Sequence, residues 1–224
     1  MSRGLPTSER EMNARSATLA ALIAAAGLVV GLAYGGPLGA QERHGGFDAR
    51  ERARLGAGQL VSRPHPPTQT DPWLGGVAFQ VVERPPDEVW RALLDLDAYA
   101  YMLPGTDRTR DDGLEGGARL LYVRQSQMGV SAQYTLRLRH DGVTRRVDFE
   151  MDRDRPHDVE DARGFVELHP YQRHRTLVTW GVRAVLGMGA IEPMVRGLIE
   201  PWLLRVPTTM KEYLEGRGRD RYRE

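Results

Sequence analysis

The chain has 224 residues, with 31 Lys and Arg against 30 Asp and Glu, and no cysteine. That length suits one domain with extensions, and near-balanced charge gives no electrostatic pull toward nucleic acid. The lack of Cys excludes disulfides, a thiol nucleophile, thiolate-held zinc and a lipid-modified cysteine.

Residues 17–34, ATLAALIAAAGLVVGLAY, are apolar and uncharged. Arg10 and Arg15 precede them, and a small-residue exit ends at Ala40. These are the parts of a secretory signal over residues 1–40. The alternatives are a retained anchor, since the run approaches the ~20 residues that span a bilayer, and a buried helix of a soluble protein. Either of the signal and anchor readings places the remainder outside the cytoplasm, exported to the periplasm or secreted, or held at a membrane by residues 17–34. Met12 is an alternative start, with Arg15 as its basic flank.

Residues 41–75 read as a leader and linker. FDARERARLG suits a short polar helix ending at Gly56 or Gly58, and residues 59–62 a brief strand. RPHPPTQTDP then carries four prolines, which favour extended chain. From Gly76 the pattern becomes regular. VAFQVVE alternates as a strand. Pro85-Pro86 ends it, and Pro86 fits a first helical turn, where its missing N–H would be unpaired anyway. Asp87 and Glu88 suit the positive end of that helix. Val89, Trp90, Leu93, Leu94 and Leu96 supply its apolar face. Asp97 is the expected cap of a second short helix, AYAYML, closed by Pro104-Gly105.

Strand-like runs follow: ARLLYVRQSQ, VSAQYTLRLRH, TRRVDFEMDR, ARGFVELHPY and RTLVTWGVRAVL. Asp141-Gly142 between two of them is a hairpin signal. In the second run Val130, Ala132, Tyr134, Leu136 and Leu138 share one face. In the third, Val147, Phe149 and Met151 do so, as do Val178, Trp180 and Val182 in the last. One dry and one wet face per strand predicts an antiparallel sheet. Residues 188–215 keep helical spacing, with Pro193, Pro201 and Pro207 expected to kink or split the helix. The charged tail, 216–224, is expected to fray.

The run Val81-Val82-Glu83-Arg84-Pro85-Pro86-Asp87-Glu88-Val89-Trp90, then Leu94-Asp95-Leu96-Asp97-Ala98-Tyr99, then Met102-Leu103-Pro104-Gly105, resembles the START-like (SRPBCC) superfamily. That superfamily includes polyketide cyclase/dehydrase-like and coenzyme-Q-binding proteins. The likeness extends over residues 76–215. It implies an α+β helix-grip fold: a curved antiparallel sheet wrapped around a long C-terminal helix, two short helices after the first strand, and an apolar cavity between sheet and helix. A sheet with one dry face needs a cover, and the last helix is the only apolar element long enough.

The six histidines, His44, His65, His140, His157, His169 and His174, show no metal-ligand spacing. Ser126 and Ser131 lack a nucleophile-elbow frame, and no phosphate loop or dinucleotide pattern is present. No catalytic residue, metal or cofactor is assigned. The fold and the dry faces together nominate Tyr99, Tyr101, Met102, Tyr122, Tyr134, Phe149, Met151, Trp180, Met188, Met194 and Leu198 as the lining of a site for a lipid or other hydrophobic small molecule, with AYAYMLPG at its mouth. Ordinary core packing is the plainer reading of each taken singly. Two other functions stay open. One is a cyclase- or dehydratase-like enzyme in the same cavity, drawing on Tyr134, His140 and Glu167. The other is an interaction module without a pocket.

Overall fold

A computed structural model describes residues 46–66, 73–127, 130–172, 174–187 and 192–223. The proposed signal or anchor, residues 1–40, lies outside the described residues. Among the described residues, no helix is long and apolar enough to cross a membrane.

The elements in chain order are α1 (Ala49–Gly56), β1 (Val61–Pro64), β2 (Leu74–Val82), α2 (Pro86–Leu94), a 3-10 turn (Leu96–Ala98) and α3 (Tyr99–Met102). There follow β3 (Thr106–Glu115), β4 (Ala118–Gln127), β5 (Val130–Asp141), β6 (Arg146–Met151), β7 (Asp161–Pro170), β8 (Thr176–Val185), α4 (Glu192–Leu203) and α5 (Val206–Glu215). The strands form one antiparallel sheet in the order β1-β2-β8-β7-β6-β5-β4-β3. The α+β helix-grip architecture expected from the sequence is present. The long C-terminal helix is two helices, with Pro207 at the start of α5 and Pro201 inside α4.

One face of the sheet, here the inner face, carries Ala78, Val82, Leu121, Val123, Leu136, Leu138, Val166, Leu168, Val178 and Val182. It packs against Val89 and Leu93 of α2, Met102 of α3, Leu204, and Met210 and Leu214 of α5. Burying such side chains contributes roughly 25 cal/mol per Å² of apolar surface, so this layer holds the domain together.

The leader segment is part of the sheet. β1 pairs with β2 through Val61–Phe79. Leu55, from α1, packs with Val61, Val77, Phe79 and Val81 in a second core on the outer face. α1 forms because Asp48 and Glu51 close a reciprocal capping box. This second core explains why all nine residues of β2 are buried, where alternation predicts one wet face.

The proline corner after β2 is a clamp on the chain's last helix. Arg84 is buried and donates from Nε to the Leu214 carbonyl (3.2 Å) and from Nη2 to the Arg219 carbonyl (3.0 Å). The first is a carbonyl of the last turn of α5, which a helix end leaves without an internal partner, and the second belongs to the turn that follows. Glu88, one turn into α2, sits 3.3 Å from the same guanidinium. Lys211 of α5 donates to Val81 O and pairs with Glu215, whose carboxylate also accepts from the Glu83 N–H. The tail is held rather than frayed. Tyr222 is buried, donates to Asp95 (2.7 Å) and hydrogen-bonds the Tyr213 hydroxyl; Arg221 pairs with Asp95 as well. Asp95, not Asp97, caps the 3-10 turn, accepting from the Asp97 N–H. α3 follows that turn directly and has no side-chain cap.

Candidate functional site

The inner face is apolar near its middle and polar toward the end where β4 and β5 meet the Pro104-Gly105 turn. In the middle, Phe149 on β6 and Trp180 on β8 stack at 4.9 Å between centroids and 19° between planes. The intervening β7 position is Gly164, paired with Phe149 on one side and Val182 on the other. A Cβ there would lie 2.5 Å from the Phe149 ring and 2.0 Å from the Gly181 carbonyl, so only glycine permits the stack. The Trp180 indole N–H donates to the Leu203 carbonyl at 2.9 Å. That bond ties the last turn of α4 to the sheet.

Toward the polar end, Tyr134 is half-buried against the core and donates to Gln125 Oε1 at 2.5 Å. Gln125 is buried and donates its own amide N–H to the Pro104 carbonyl at 2.9 Å. Burial raises the Tyr134 pKa far above its ordinary value, so the phenol stays a neutral donor. The Pro104-Gly105 turn is fixed by the backbone bond from Ser126 N to Gly105 O, 2.8 Å. Gly105 has φ +65°, the left-handed region that favours glycine. A Cβ at Gly105 would sit 3.6 Å from Trp202 Cζ2, which places the α4 indole on the same turn that Gln125 holds. The Trp202 indole N–H is buried and has no hydrogen-bond acceptor among the described residues. Buried donors almost always have a partner in folded proteins, so this N–H stands apart from the other polar groups of the inner face.

The candidates fall into three groups. Tyr134, Phe149, Trp180 and Met151 all lie on the inner face, the last opposite Leu136. Tyr99 and Met102 are buried but tied into the scaffold. The Tyr99 hydroxyl donates to the Leu93 carbonyl (3.0 Å), burial raises its pKa, and the Met102 carbonyl accepts from the Thr209 hydroxyl. Tyr101 is largely exposed, stacked on Tyr213 at 5.4 Å with the Arg217 guanidinium 4.0 Å over its ring.

Tyr122 and Leu198 are corrections. Tyr122 pairs with Thr135, while its neighbours Leu121 and Val123 pair with the inward Leu136 and Tyr134. Strand alternation therefore puts Tyr122 on the outer face, where its hydroxyl donates to Gln133 and Arg110 lies 4.7 Å over its ring. Leu198 is 56% exposed on α4, because the helix turns other residues to the sheet. Met188 lies outside the described residues, as does the side chain of Met194.

The three acid/base candidates are not brought together. Glu167 is on the outer face, paired with Arg146 (3.2 Å) and beside His169 (3.4 Å). His140 is on the inner face, but six residues from Tyr134 along β5. Its Nε2 lies 3.2 Å from the Leu93 carbonyl, which Tyr99 also reaches. As a hydrogen bond to a carbonyl, that contact has Nε2 donating, so His140 and Tyr99 together satisfy an orphan carbonyl at the end of α2. Burial lowers the His140 pKa, partly opposed by that carbonyl. Among the described residues, no group of three or more His, Asp or Glu could hold a metal ion.

Two residues of this region, Gln125 and Trp202, lie outside the candidates named from the sequence. Gln125 shares the parity of Leu121 and Val123 on β4, so a polar residue at an inward position was there to be read. Trp202 fits the apolar face of the last helix, and nothing in its spacing distinguishes a free N–H from a satisfied one.

The model of the family described as polyketide cyclase/dehydrase and lipid transport matches residues 77–211, more than half of the chain. The chain belongs to that family. The match to the polyketide cyclase/dehydrase and lipid transport family takes in strands β3 to β8, most of β2 and the proline corner itself. Its matched span begins at Val77 in β2 and ends at Lys211, the residue of α5 that bonds back to β2. A search of curated proteins finds no match.

Solved structures share the fold. The STAR-related lipid transfer protein from Xanthomonas axonopodis (fragment 25–204) superposes with a TM-score of 0.58 at 14% identity, covering 70% of this chain and 93% of that one. The Zhui aromatase/cyclase from Streptomyces sp. R1128 gives 0.55 at 16% identity, covering 74% and 97%. A START superfamily protein from Mycobacterium smegmatis gives 0.52 at 13% identity, covering 70% and 97%. At these identities the likeness establishes a START/SRPBCC fold; the family description itself names both polyketide cyclase/dehydrase members and lipid transport.

Proposed function

We propose that this protein binds a lipid or other hydrophobic small molecule between the inner sheet face and helices α3 to α5, outside the cytoplasm. The observation that carries the reading is the buried, unpartnered Trp202 N–H beside the Gly105 turn. Apolar walls with a few placed polar groups are what such sites need. Here the apolar part is the Phe149–Trp180 stack with Met151, and the polar end is Trp202 with the Tyr134–Gln125 pair. A ligand with an apolar body and one acceptor oxygen would bury its body along the sheet and take the indole N–H. Residues 1–40 would carry the chain across the membrane or anchor it there.

The test is native mass spectrometry of protein exported by its own host, with extraction of whatever co-purifies. The expected result is a consistent apolar ligand bearing an acceptor group. It should be lost or strongly reduced in Trp202→Phe, which keeps the ring bulk and removes the donor. Protein that is always empty, or that loads equally well in Trp202→Phe, would count against the reading. N-terminal sequencing of the exported protein tests the location; an intact Met1 or Met12 in a cytosolic fraction would refute it.

A further inference from the structure

On strands β5 to β8, four arginines of the outer sheet face are half-buried: Arg137, Arg146, Arg163 and Arg183. The first three meet carboxylates. Arg137 pairs with Asp152 at 3.0 Å, Arg146 with Glu167 at 3.2 Å and Arg163 with Asp161 at 2.5 Å. Arg183 has no ion pair or side-chain hydrogen bond among the described residues, and its Nε is buried without an acceptor. A shielded guanidinium without a counter-charge is costly.

Its surroundings make the imbalance worse. On β7 the residue directly opposite Arg183 is Arg163. Cross-strand partners on one face have Cβ atoms about 4.5–5.5 Å apart, and like charges there are destabilising. Asp161 cannot serve all of them, because Arg153 also binds it, at 2.6 Å. On the other side of Arg183, β2 presents Gly75, which has no side chain to offer. Glu200 accepts from the Gly75 N–H at 3.3 Å but makes no ion pair with Arg183. Arg163 is held in place by the Trp73 ring, 4.7 Å beneath its guanidinium.

We propose that Arg183 and Arg163 form an anion site on the outer face for a phosphate-type oxyanion. Two adjacent guanidiniums, one of them fixed on an aromatic ring, suit an anion with several oxygens, because each fork can donate in parallel to a pair of them. Asp161 fixes one side of Arg163 and leaves Arg183 as the open position. The site is on the face opposite the proposed interior ligand and does not depend on it. The same chemistry is offered by free phosphate and by a phospholipid headgroup.

The test uses the full chain, with inorganic phosphate as the probe, titrated calorimetrically at constant ionic strength in chloride. The wild type should bind phosphate, and Arg183→Gln should bind it about tenfold or more weakly, as expected when a charged donor is lost. Arg183→Lys, which keeps the charge but not the fork, should fall between them. Without phosphate, Arg183→Gln should melt no lower than the wild type, since the opposed pair is relieved. That melting curve also shows that a loss of binding is not a loss of fold. No phosphate binding by the wild type, or equal binding by Arg183→Gln, would overturn the proposal. A second arm compares vesicles of phosphatidylcholine with and without phosphatidylglycerol. Preference for the anionic vesicles that disappears in Arg183→Gln assigns the site to a lipid headgroup; vesicle binding unaffected by the substitution, with phosphate binding lost, assigns it to free phosphate.

Discussion

Strands β2 and β3 bracket the helical excursion that crosses the inner face, yet they live in opposite environments. All nine residues of β2 are buried, between the main core on one side and the α1–β1 cluster on the other. None of the ten residues of β3 is buried. β3 is an edge of the sheet, interrupted by irregularities near residues 107 and 112 and studded with Asp107, Arg108, Arg110, Asp111, Asp112 and Glu115. Charges and bulges keep an edge from pairing with another chain. The domain therefore concentrates its stability at the β2 side. It leaves β3 tied down mainly by β4 and by the turn that carries Gly105.

The comparison breaks most visibly at Phe79. Phe79→Ala should cost about 3–5 kcal/mol, from a fully buried ring packed edge-on to Phe47 at 4.9 Å. Chemical denaturation would measure it, and a loss below about 1 kcal/mol would mean that the outer cluster is not a core. Gly105→Ala comes next, at about 1–3 kcal/mol, because a positive φ is strained for alanine and its Cβ would lie 2.9 Å from the Ser126 carbonyl. Ligand loading should fall along with stability there, since the same turn abuts Trp202. Tyr222→Phe should cost about 1 kcal/mol, by removing the hydroxyl that joins Asp95 to Tyr213.

The fourth prediction concerns pH. His140 has a folded pKa lowered mainly by burial. Its contribution is complete above the unfolded value of about 6.5. It is lost as pH falls from there through the folded pKa, because the unfolded chain takes up the proton first. Melting curves between pH 8 and pH 5 should show this loss in the wild type, and His140→Gln should show less of it. Smallest is Leu114→Ser on β3, where a side chain 74% exposed should change stability by no more than about 0.5 kcal/mol. A large effect there would mean that the edge is covered.

What the sequence disclosed follows the same division. β5 and β8 could be read residue by residue, because one face is dry and the alternation is clean. β3 could not, because an edge strand facing water on both sides carries no apolar period; TDRTRDDGLE looks like a loop. β4 shows the intermediate case. Leu120, Leu121, Tyr122 and Val123 are all apolar or aromatic, so only the pairing with β5 reveals that Tyr122 points outward. The proline corner was legible as a fold signature, while its use as a clamp was not, since Arg84 reaches partners about 130 residues away. In the candidate site, parity puts Phe149, Trp180 and Tyr134 on the inner face, as the pairing shows. Gln125 has the same parity as Leu121 and Val123 but, being polar, adds nothing to an apolar period, and the unpaired indole of Trp202 is a property of three-dimensional surroundings alone.

The pairing of β2 also sets an order of assembly. Among the described residues its strand neighbours are β1 and β8, and its helical cover comes mainly from α4 and α5. Nearly a hundred residues separate it from β8, so this most apolar strand must wait for almost the whole chain to emerge before its main partner exists. Closing so long a loop is slow, and an unpaired apolar strand is prone to aggregate in the meantime. Chains truncated before Thr176 should therefore collect as aggregates rather than as smaller folded domains, and the α1–β1 segment, which reaches β2 first, would act as its temporary shelter.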